Sequence, residues 1–375
     1  MGLFDLLFKK KKAPAENTPI VDVSASVPVS PPRPPTQAEL DDQVIPVEDR
    51  IKQATANKHG LYPHEVLVLD YAPTFYTDGN AFQGFWWYRY GVRDVQAVLR
   101  SLTERGFLQI GDLRAALEKQ NATTIKEALR AHGCKQTGKK DELVQRALDE
   151  IPAAALDELF PKRTYQPTDT GKAALDEDAY VPYIHRHGYG GLDIWSLNQL
   201  VHTEPYMSYR DKVWGYLNQC SMEHAKERNM GAYRNRRYDM SQFLLEEGKL
   251  KDALAMLAEV VFYDVSGATC VVFDHGIFEF MGYDLFNYEK TPVMIAPRVI
   301  VEIADCQKKL EYNDDELRAA LVERMSKMTT PIQLFTAEEC ASIALMERDG
   351  NKDGLTLLYA KAQKAFIKKY PNIKL

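Results

Sequence analysis

The stretch at residues 124–148 constrains the fold most, because its pattern predicts two short helices joined by a basic, glycine-containing turn. The first helix is expected to begin at Thr124 or one residue earlier and to bury Ile125 and Leu129, which are four residues apart. Gly133 is expected to end it, since glycine readily adopts the left-handed conformation after a helix.

The second helix is expected to open after Gly138 and to carry Lys139 and Lys140 in its first turn. Its apolar positions are Leu143, Val144 and Leu148. Lysines are unusual at that end, because the helix dipole favours anions there. A phosphate group can bind here, because the exposed amides and two ammonium groups attract it and the glycine is flexible. The DNA backbone is the obvious source of such a phosphate.

This pattern resembles the SAP motif, a helix-extension-helix module that binds DNA. The residues that carry the resemblance are Ile125-Lys126, Leu129, Gly133-Cys134, Gly138-Lys139-Lys140, Leu143 and Arg146. The sequence departs from the motif at Cys134, where leucine is usual, and at Ala147, where Leu148 is expected to replace an apolar anchor. The resemblance implies binding to double-stranded, A·T-rich DNA, mainly through backbone and groove shape. The implied contacts are Lys126, Lys135, Gly138, Lys139, Lys140 and Arg146.

The charge of this stretch differs from that of the chain. Six basic and three acidic residues lie between Lys126 and Arg146, whereas the 375-residue chain has a net charge of −6. An acidic chain with a local basic segment favours a localised DNA contact over general coating of nucleic acid. The alternative interpretation is a solvated helical hairpin with incidental charge.

Composition indicates a globular chain of two or three domains after an N-terminal tail. Five isolated cysteines suit reduced thiols in the cytoplasm, and we expect no metal site and no cofactor. No apolar run is long enough to span a membrane.

Residues 1–46 are expected to form a disordered tail and a Pro-rich linker. Its first twelve residues pair an apolar segment with four lysines, which is compatible with a mobile tail, contact with an anionic membrane or binding to a partner groove.

A second pattern precedes the basic hairpin. A helix is expected over Val92–Arg105, followed by a strand at 107–110. These elements resemble the third helix and the next strand of a winged-helix domain, and a Thr-x-x-Gly-Lys signature typical of that family follows at Thr168–Lys172. We therefore predict a winged-helix-like domain at residues 47–200. The SAP-like motif would lie in a segment inserted at 112–161, between the two strands of the wing.

In winged helices, the exposed face of the third helix often enters the major groove. Here that face would carry Arg93, Gln96 and Arg100. Many winged helices serve only protein contacts, so this helix is an assisting contact at most. The nearby aromatic cluster at 85–90 is expected to be core or interface rather than a stacking surface for bases.

Residues 201–375 are predicted to form an all-helical C-terminal domain. Tyr233–Val265 resembles one tetratricopeptide-like helical hairpin with its turn at Glu246–Lys249. Further helices are expected at Pro297–Leu310, Asp314–Met328, Ala337–Glu347 and Gly354–Lys369. A second basic cluster at residues 226–237 either continues a DNA-contacting face or is a helix surface paired with acids.

Enzymatic chemistry has little support in the sequence. His185 and His187 would project the same way from a strand, but no carboxylate or cysteine follows at ligand spacing. Asp264, Asp274 and His275 could be assembled into a nuclease-like site only by the fold. The sequence thus predicts a non-enzymatic DNA-binding protein that resembles bacterial or phage proteins with a SAP domain. The alternative is a protein-interaction scaffold that uses the C-terminal helices.

Overall fold

The computed structural model describes residue 41 and residues 43–274, 277–280, 284–330 and 332–369; for residues 270–274 and 277–280 it describes the backbone alone. The chain divides into two units, Met1–Val44 and Ile45–Leu375. The predicted tail lies mostly outside the described residues. The second unit is mainly helical, as predicted.

The first half of this unit consists of helices that precede, separate and follow the two strands of one pair along the chain. Its elements are α1 (Val47–Arg50), α2 (Pro63–Tyr71), α3 (Phe85–Tyr90), α4 (Val95–Glu104), β1 (Leu108–Ile110), α5 (Leu113–Lys119), α6 (Ala122–Ala131), α7 (Lys140–Glu150), α8 (Ala153–Leu159), β2 (Tyr165–Pro167), α9 (Asp169–Glu177), α10 (Tyr180–His187) and α11 (Ile194–Thr203).

The second half is built from longer helices. Its elements are α12 (Tyr209–Lys226), α13 (Met230–Glu246), α14 (Leu250–Ser266), β3 (Val271–Asp274), β4 (Ile277–Phe280), α15 (Pro297–Leu310), α16 (Asp314–Met325), α17 (Ala337–Asp349) and α18 (Lys352–Lys369). Among the helices that the structure describes, none has the length and apolar character required to cross a lipid bilayer.

Helix α2 is the centre of the first apolar core. Pro63 starts it, and the Glu65 side chain accepts a hydrogen bond from the Tyr62 amide at 2.8 Å, so its first turn is well defined. Val66, Leu67, Val68 and Leu69 are four consecutive residues and all are fully buried. The helix is therefore enclosed on all sides rather than on one face. This core extends to Val213 of α12 and Phe243 of α13.

Two further cores complete the packing. One lies within residues 117–160 and joins α5 to α8. The other is formed by α14 to α18 together with residues of the intervening loops. Helices α13 and α14 form a hairpin that turns at Gly248, whose φ is +69°, where the sequence predicted a helical hairpin. Because α13 packs in the first core and α14 in the last, this hairpin links them.

Three arginines of the second basic cluster are paired with acids. Arg234 binds Asp264 through two hydrogen bonds of 2.6 and 2.7 Å. Arg237 lies 2.8 Å from Glu259. Arg236 is also paired, with Asp239 at 3.1 Å. These pairs favour the interpretation of this cluster as a helix surface paired with acids.

The C-terminal half departs from the sequence prediction at several helix ends and at one strand pair. Helix α17 ends at Asp349 rather than Glu347, and α18 begins at Lys352 rather than Gly354. Helix α16 ends at Met325 rather than Met328, just before the helix-disfavouring run Thr329-Thr330-Pro331. Strands β3 and β4 pair as an antiparallel hairpin, so this half is not all-helical. The signal was present as two β-branched and aromatic runs separated by two residues that include glycine.

Strand β1 pairs antiparallel with β2, with Leu108 opposite Pro167 and Ile110 opposite Tyr165. Thr168 caps α9, which begins at Asp169, by accepting a hydrogen bond from the Gly171 amide at 3.1 Å. Gly171 packs directly on the backbone of Phe107, the residue before β1. A Cβ atom there would lie 2.2 Å from the Phe107 carbonyl oxygen.

We predict opposite effects for two glycine-to-alanine substitutions in helices. Gly171→Ala should destabilise the protein by about 1–3 kcal/mol, because the added methyl group overlaps backbone. Gly215→Ala in α12 meets nothing within 4 Å and should stabilise by roughly 0.5–1 kcal/mol through helix propensity. Urea unfolding monitored by tryptophan fluorescence measures both. Equal effects of the same sign would contradict this account of the contact between α9 and Phe107.

A second prediction concerns His64, which is buried in α2 and lies against Trp195 with ring centroids 5.5 Å apart. Burial, with a smaller effect from Arg105, lowers the pKa of His64 to about 4 from 6.5. The unfolded chain therefore binds the proton more tightly, and stability should be lost as pH falls from 6.5 to about 4.

The variant His64→Phe keeps an aromatic ring beside Trp195 and removes the titration. Its free energy of unfolding minus that of the wild type should be constant above pH 6.5 and should increase below it, because only the wild type loses stability through protonation of His64. Comparing the two proteins removes the contribution of other groups. A difference that does not change with pH would contradict a neutral, buried His64.

Candidate nucleic-acid interface

The segment between β1 and β2 leaves and re-enters the fold at the same place. The Gly111 amide donates a hydrogen bond of 2.8 Å to the Thr164 carbonyl, directly beyond the paired strands. Helices α5 to α8 lie between these ends and share their own apolar core. The Lys119 ammonium group donates to the Thr74 carbonyl at 2.6 Å, a further contact with the rest of the unit. The segment is thus a compact helical module attached at its two ends.

Helices α6 and α7 form the predicted hairpin. Asn121 caps α6 by accepting a hydrogen bond from the Thr124 amide at 2.9 Å, so the helix begins at Ala122, two residues before Thr124. Gly133, with φ of +73°, follows its end, as predicted. The two helices meet through buried apolar side chains. These are Ile125, Ala128, Leu129, Leu143, Val144 and Ala147.

The expectation that Leu148 supplies an apolar anchor in place of position 147 is met in part, since both residues contact this core. Ala147 is fully buried, whereas Leu148 is half-buried at the edge of this core. A methyl side chain suffices at this position.

The turn between α6 and α7 is held from α7. Arg146 Nη1 donates hydrogen bonds to the carbonyl oxygens of Lys135 at 2.9 Å and Thr137 at 2.8 Å. Glu142 accepts a hydrogen bond from the Lys139 amide at 3.1 Å. Gly138 has φ of +135°, and a Cβ atom there would lie 2.5 Å from a Glu142 carboxylate oxygen. A side chain at this position would therefore disturb both the backbone conformation and the Glu142 contact.

The basic residues of the predicted site separate into two groups. Lys140 and Arg146 point at the protein itself, since Lys140 Nζ donates to the Glu118 carbonyl at the end of α5 at 2.5 Å. Lys135 and Lys139 are exposed on the turn, and neither ammonium group has an ion pair within the described part of the chain. Lys126 is half-buried on α6.

Arg130 was not in the predicted set. It is exposed on α6, one helical turn after Lys126, and its Nε lies 3.3 Å from the Gln136 side-chain oxygen. The i, i+4 spacing of the two residues was the signal that could have included it, because such residues share a helix face. Lys126, Arg130, Lys135 and Lys139 are called the hairpin cations below.

One face of α7 has the opposite charge. Four carboxylates surround a shallow depression there, together with Gln145 and Arg146; they belong to Asp141, Glu142, Asp149 and Glu150. A polyanion is repelled from this face. Access for phosphate groups is thereby restricted to the turn and α6.

The predicted exposed face of the helix before β1 holds only one of its three residues, because Arg93, although exposed, precedes the helix and Gln96 is half-buried. Asp94 caps α4 by accepting from the Ala97 amide at 2.8 Å, so the helix begins at Val95 and Arg93 lies before it. The Arg93 guanidinium stacks on the Trp87 ring, 3.9 Å from its centroid. Gln96 turns inward and donates a hydrogen bond of 3.2 Å to the Tyr165 hydroxyl.

Arg100 is the one residue of that set that the structure places on the exposed side of α4. In the aromatic cluster, Trp86 and Tyr90 are buried in the first core, as expected. Tyr88 is exposed.

The two histidines of the sequence analysis lie on helix α10 rather than on a strand. His185 is hydrogen-bonded at both ring nitrogens, to the hydroxyls of Tyr71 at 2.6 Å and Tyr90 at 2.7 Å. His187 contacts the Tyr183 carbonyl at 2.7 Å and Glu246 at 2.6 Å. Burial, with the charges of nearby arginines, lowers the pKa of His185 to about 4. Both rings thus serve packing.

No group of three or more His, Cys, Asp or Glu side chains within the described residues is arranged to hold a metal ion. Asp264 of the considered nuclease-like site is paired with Arg234. The side chain of Asp274 and all of His275 lie outside the described residues. Comparison with protein-family models, curated proteins and solved structures found no match to this chain.

We predict that Arg146 positions the turn. Arg146→Ala removes two charge-assisted hydrogen bonds and should destabilise the module by about 1–3 kcal/mol. Arg130→Ala, a matched removal of an exposed arginine, should change its stability by less than about 0.5 kcal/mol. The native tryptophans lie outside the module, so amide hydrogen exchange in peptides from 126–150 is the suitable measurement. Equal exchange in the two variants would contradict this role.

Proposed function

We propose that this protein binds double-stranded DNA through the α6–α7 hairpin and that its role is non-enzymatic. The observation that carries the proposal is the exposed turn. It presents Lys135 and Lys139 without intramolecular acid partners among the described residues, next to Lys126 and Arg130 on α6. Such a cluster on an acidic chain is suited to neutralising a few neighbouring phosphates.

The way the turn is held supports this proposal. Arg146 and Glu142 of α7 hydrogen-bond to backbone atoms of the turn. The two turn lysines therefore project from an ordered segment. Less conformational entropy is then lost when they contact phosphates. Lys140 and Arg146, predicted as DNA contacts, are assigned to positioning instead, because their donors are directed at carbonyl oxygens.

The chemistry of the cluster favours backbone over base recognition. Lysine ammonium groups act as point charges towards phosphates, and three of the four hairpin cations are lysines. Sequence preference would then come from DNA shape, which agrees with the A·T-rich preference implied by the SAP resemblance. Arg100, exposed on α4, is a further candidate DNA contact within the predicted winged-helix-like domain.

The testing experiment compares two double substitutions with the same change of charge. Lys135→Glu/Lys139→Glu reverses the turn, and Lys364→Glu/Lys368→Glu reverses two exposed lysines on α18. Binding of a fluorescent A·T-rich duplex is measured by anisotropy at several salt concentrations. The wild type should bind with a steep salt dependence, about −0.9 in log K per log salt for each phosphate contact.

The turn variant should bind at least about tenfold more weakly than the wild type and with a shallower salt dependence. The α18 variant should retain most of the affinity. Equal losses in the two variants would indicate general electrostatic attraction and would contradict a site at the turn. Absence of binding by the wild type would contradict DNA binding altogether.

A protein-interaction scaffold is the second candidate. It is favoured by exposed apolar side chains in the C-terminal half: Met294 (44% exposed), Val301 (50%), Leu357 (73%) and Ile367 (51%). Exposed apolar surface is typical of protein interfaces when it is contiguous. Binding through such a surface depends much less on salt than phosphate binding does.

A further inference from the structure

A cleft of about 280 Å³ opens between α14 and α16, within the core formed by the C-terminal helices. Its lining comprises Lys251, Leu254, Ala255, Tyr312, Ala320, Glu323, Arg324 and Lys327. The volume is just below the range of about 300–1,000 Å³ that drug-sized ligands occupy, so the cleft suits a smaller molecule. The cleft belongs to neither the DNA-binding hairpin nor the strand pair.

A buried carboxylate shared by two arginines lies behind this cleft. Glu259 is 2% exposed, and its Oε2 is 2.8 Å from Arg237 Nε. Its Oε1 accepts from Arg324 through both Nε, at 2.9 Å, and Nη2. One negative and two positive charges therefore leave a net positive charge beside the cleft. Arg324 Nη1 has no acceptor within the described residues and remains available to a ligand.

The mouth of the cleft adds to this charge. Lys251 is exposed and has no acid partner in the part of the chain that the structure describes. Lys327 is paired with Glu323 at 2.8 Å, so these two charges largely cancel. Arg324 and Lys251 are thus the cations open to a ligand, and both line the same cleft.

The remaining walls are apolar. Leu254 is buried, and Ala255 and Ala320 are half-buried on the two facing helices. Tyr312 closes one end and packs against the apolar core. The cleft thus combines cationic side chains with small apolar ones. It favours a ligand that has both a charged group and an apolar part.

We propose that this cleft binds a small organic anion. Its carboxylate or phosphate group would contact Arg324 and Lys251, and its apolar part would lie against Leu254, Ala320 and the Tyr312 ring. Arg324 Nη1 offers a charge-assisted hydrogen bond to either oxyanion, because Nε and Nη2 are occupied by Glu259. This site is independent of the proposed DNA binding, and its test contains no DNA.

Isothermal titration of the full chain with three probes tests the proposal. Phenyl phosphate and benzoate share an apolar ring and differ in the anion, and benzyl alcohol has the ring without charge. At least one of the two anions should bind saturably with one site per chain, whereas benzyl alcohol should not bind. The anion that binds more tightly identifies the preferred headgroup.

Variants place the binding in the cleft without breaking the buried pair of Glu259 and Arg324. Lys251→Glu should weaken binding of the anion at least about tenfold, because a charge near the ligand is reversed. Ala320→Phe should abolish binding by filling the cleft. Lys364→Glu, the same charge change on an exposed lysine of α18, should have no effect.

Two results would overturn the proposal. One is the absence of saturable binding by both anions to the wild type. The other is unchanged binding in Lys251→Glu and Ala320→Phe, each of which must first be shown to be folded by circular dichroism.

Discussion

The antiparallel pairing of β1 with β2 is the interaction on which the arrangement of the proposed DNA-binding module depends. It brings together residues more than fifty positions apart, and the Gly111–Thr164 hydrogen bond extends it by one step. Helix α9 packs at Gly171 on the residue that precedes β1, where only a hydrogen atom fits. Loop closure costs grow slowly with length, so a helical module with its own core is accommodated between two short strands. The module can therefore present a separate surface without disturbing the first core.

Electrostatics divides the cations of this protein by what lies within reach of each one. Arg146 and Lys140 donate to carbonyl oxygens at the turn and at the end of α5. The arginines of α13 are paired with acids of α13 and α14. The exposed lysines of the turn have no such partner among the described residues, and the acidic face of α7 restricts the direction from which a phosphate can approach. Of the basic residues in this segment, the exposed turn lysines are therefore the ones placed to contact a phosphate.

Local signals in the sequence predicted most helices, and long-range contacts account for the misplacement of Gln96 and Lys140. Pro297 and the apolar spacing of the following residues located α15 to the residue, and Gly133 located the end of α6. Gln96 was assigned to solvent by helical spacing, but its partner Tyr165 is 69 residues away. The role of Lys140 likewise depends on where α5 ends, which periodicity does not report. Charge patterns locate a basic segment, whereas the fold decides which of its cations face outward.

The most direct measurement of the central claim is amide hydrogen exchange of the full chain with and without a duplex of about two helical turns at low salt. The account predicts slower exchange on DNA addition in peptides covering residues 126–140, with α14 to α18 unchanged. Slower exchange confined to the C-terminal helices, with the α6–α7 hairpin unaffected, would contradict it.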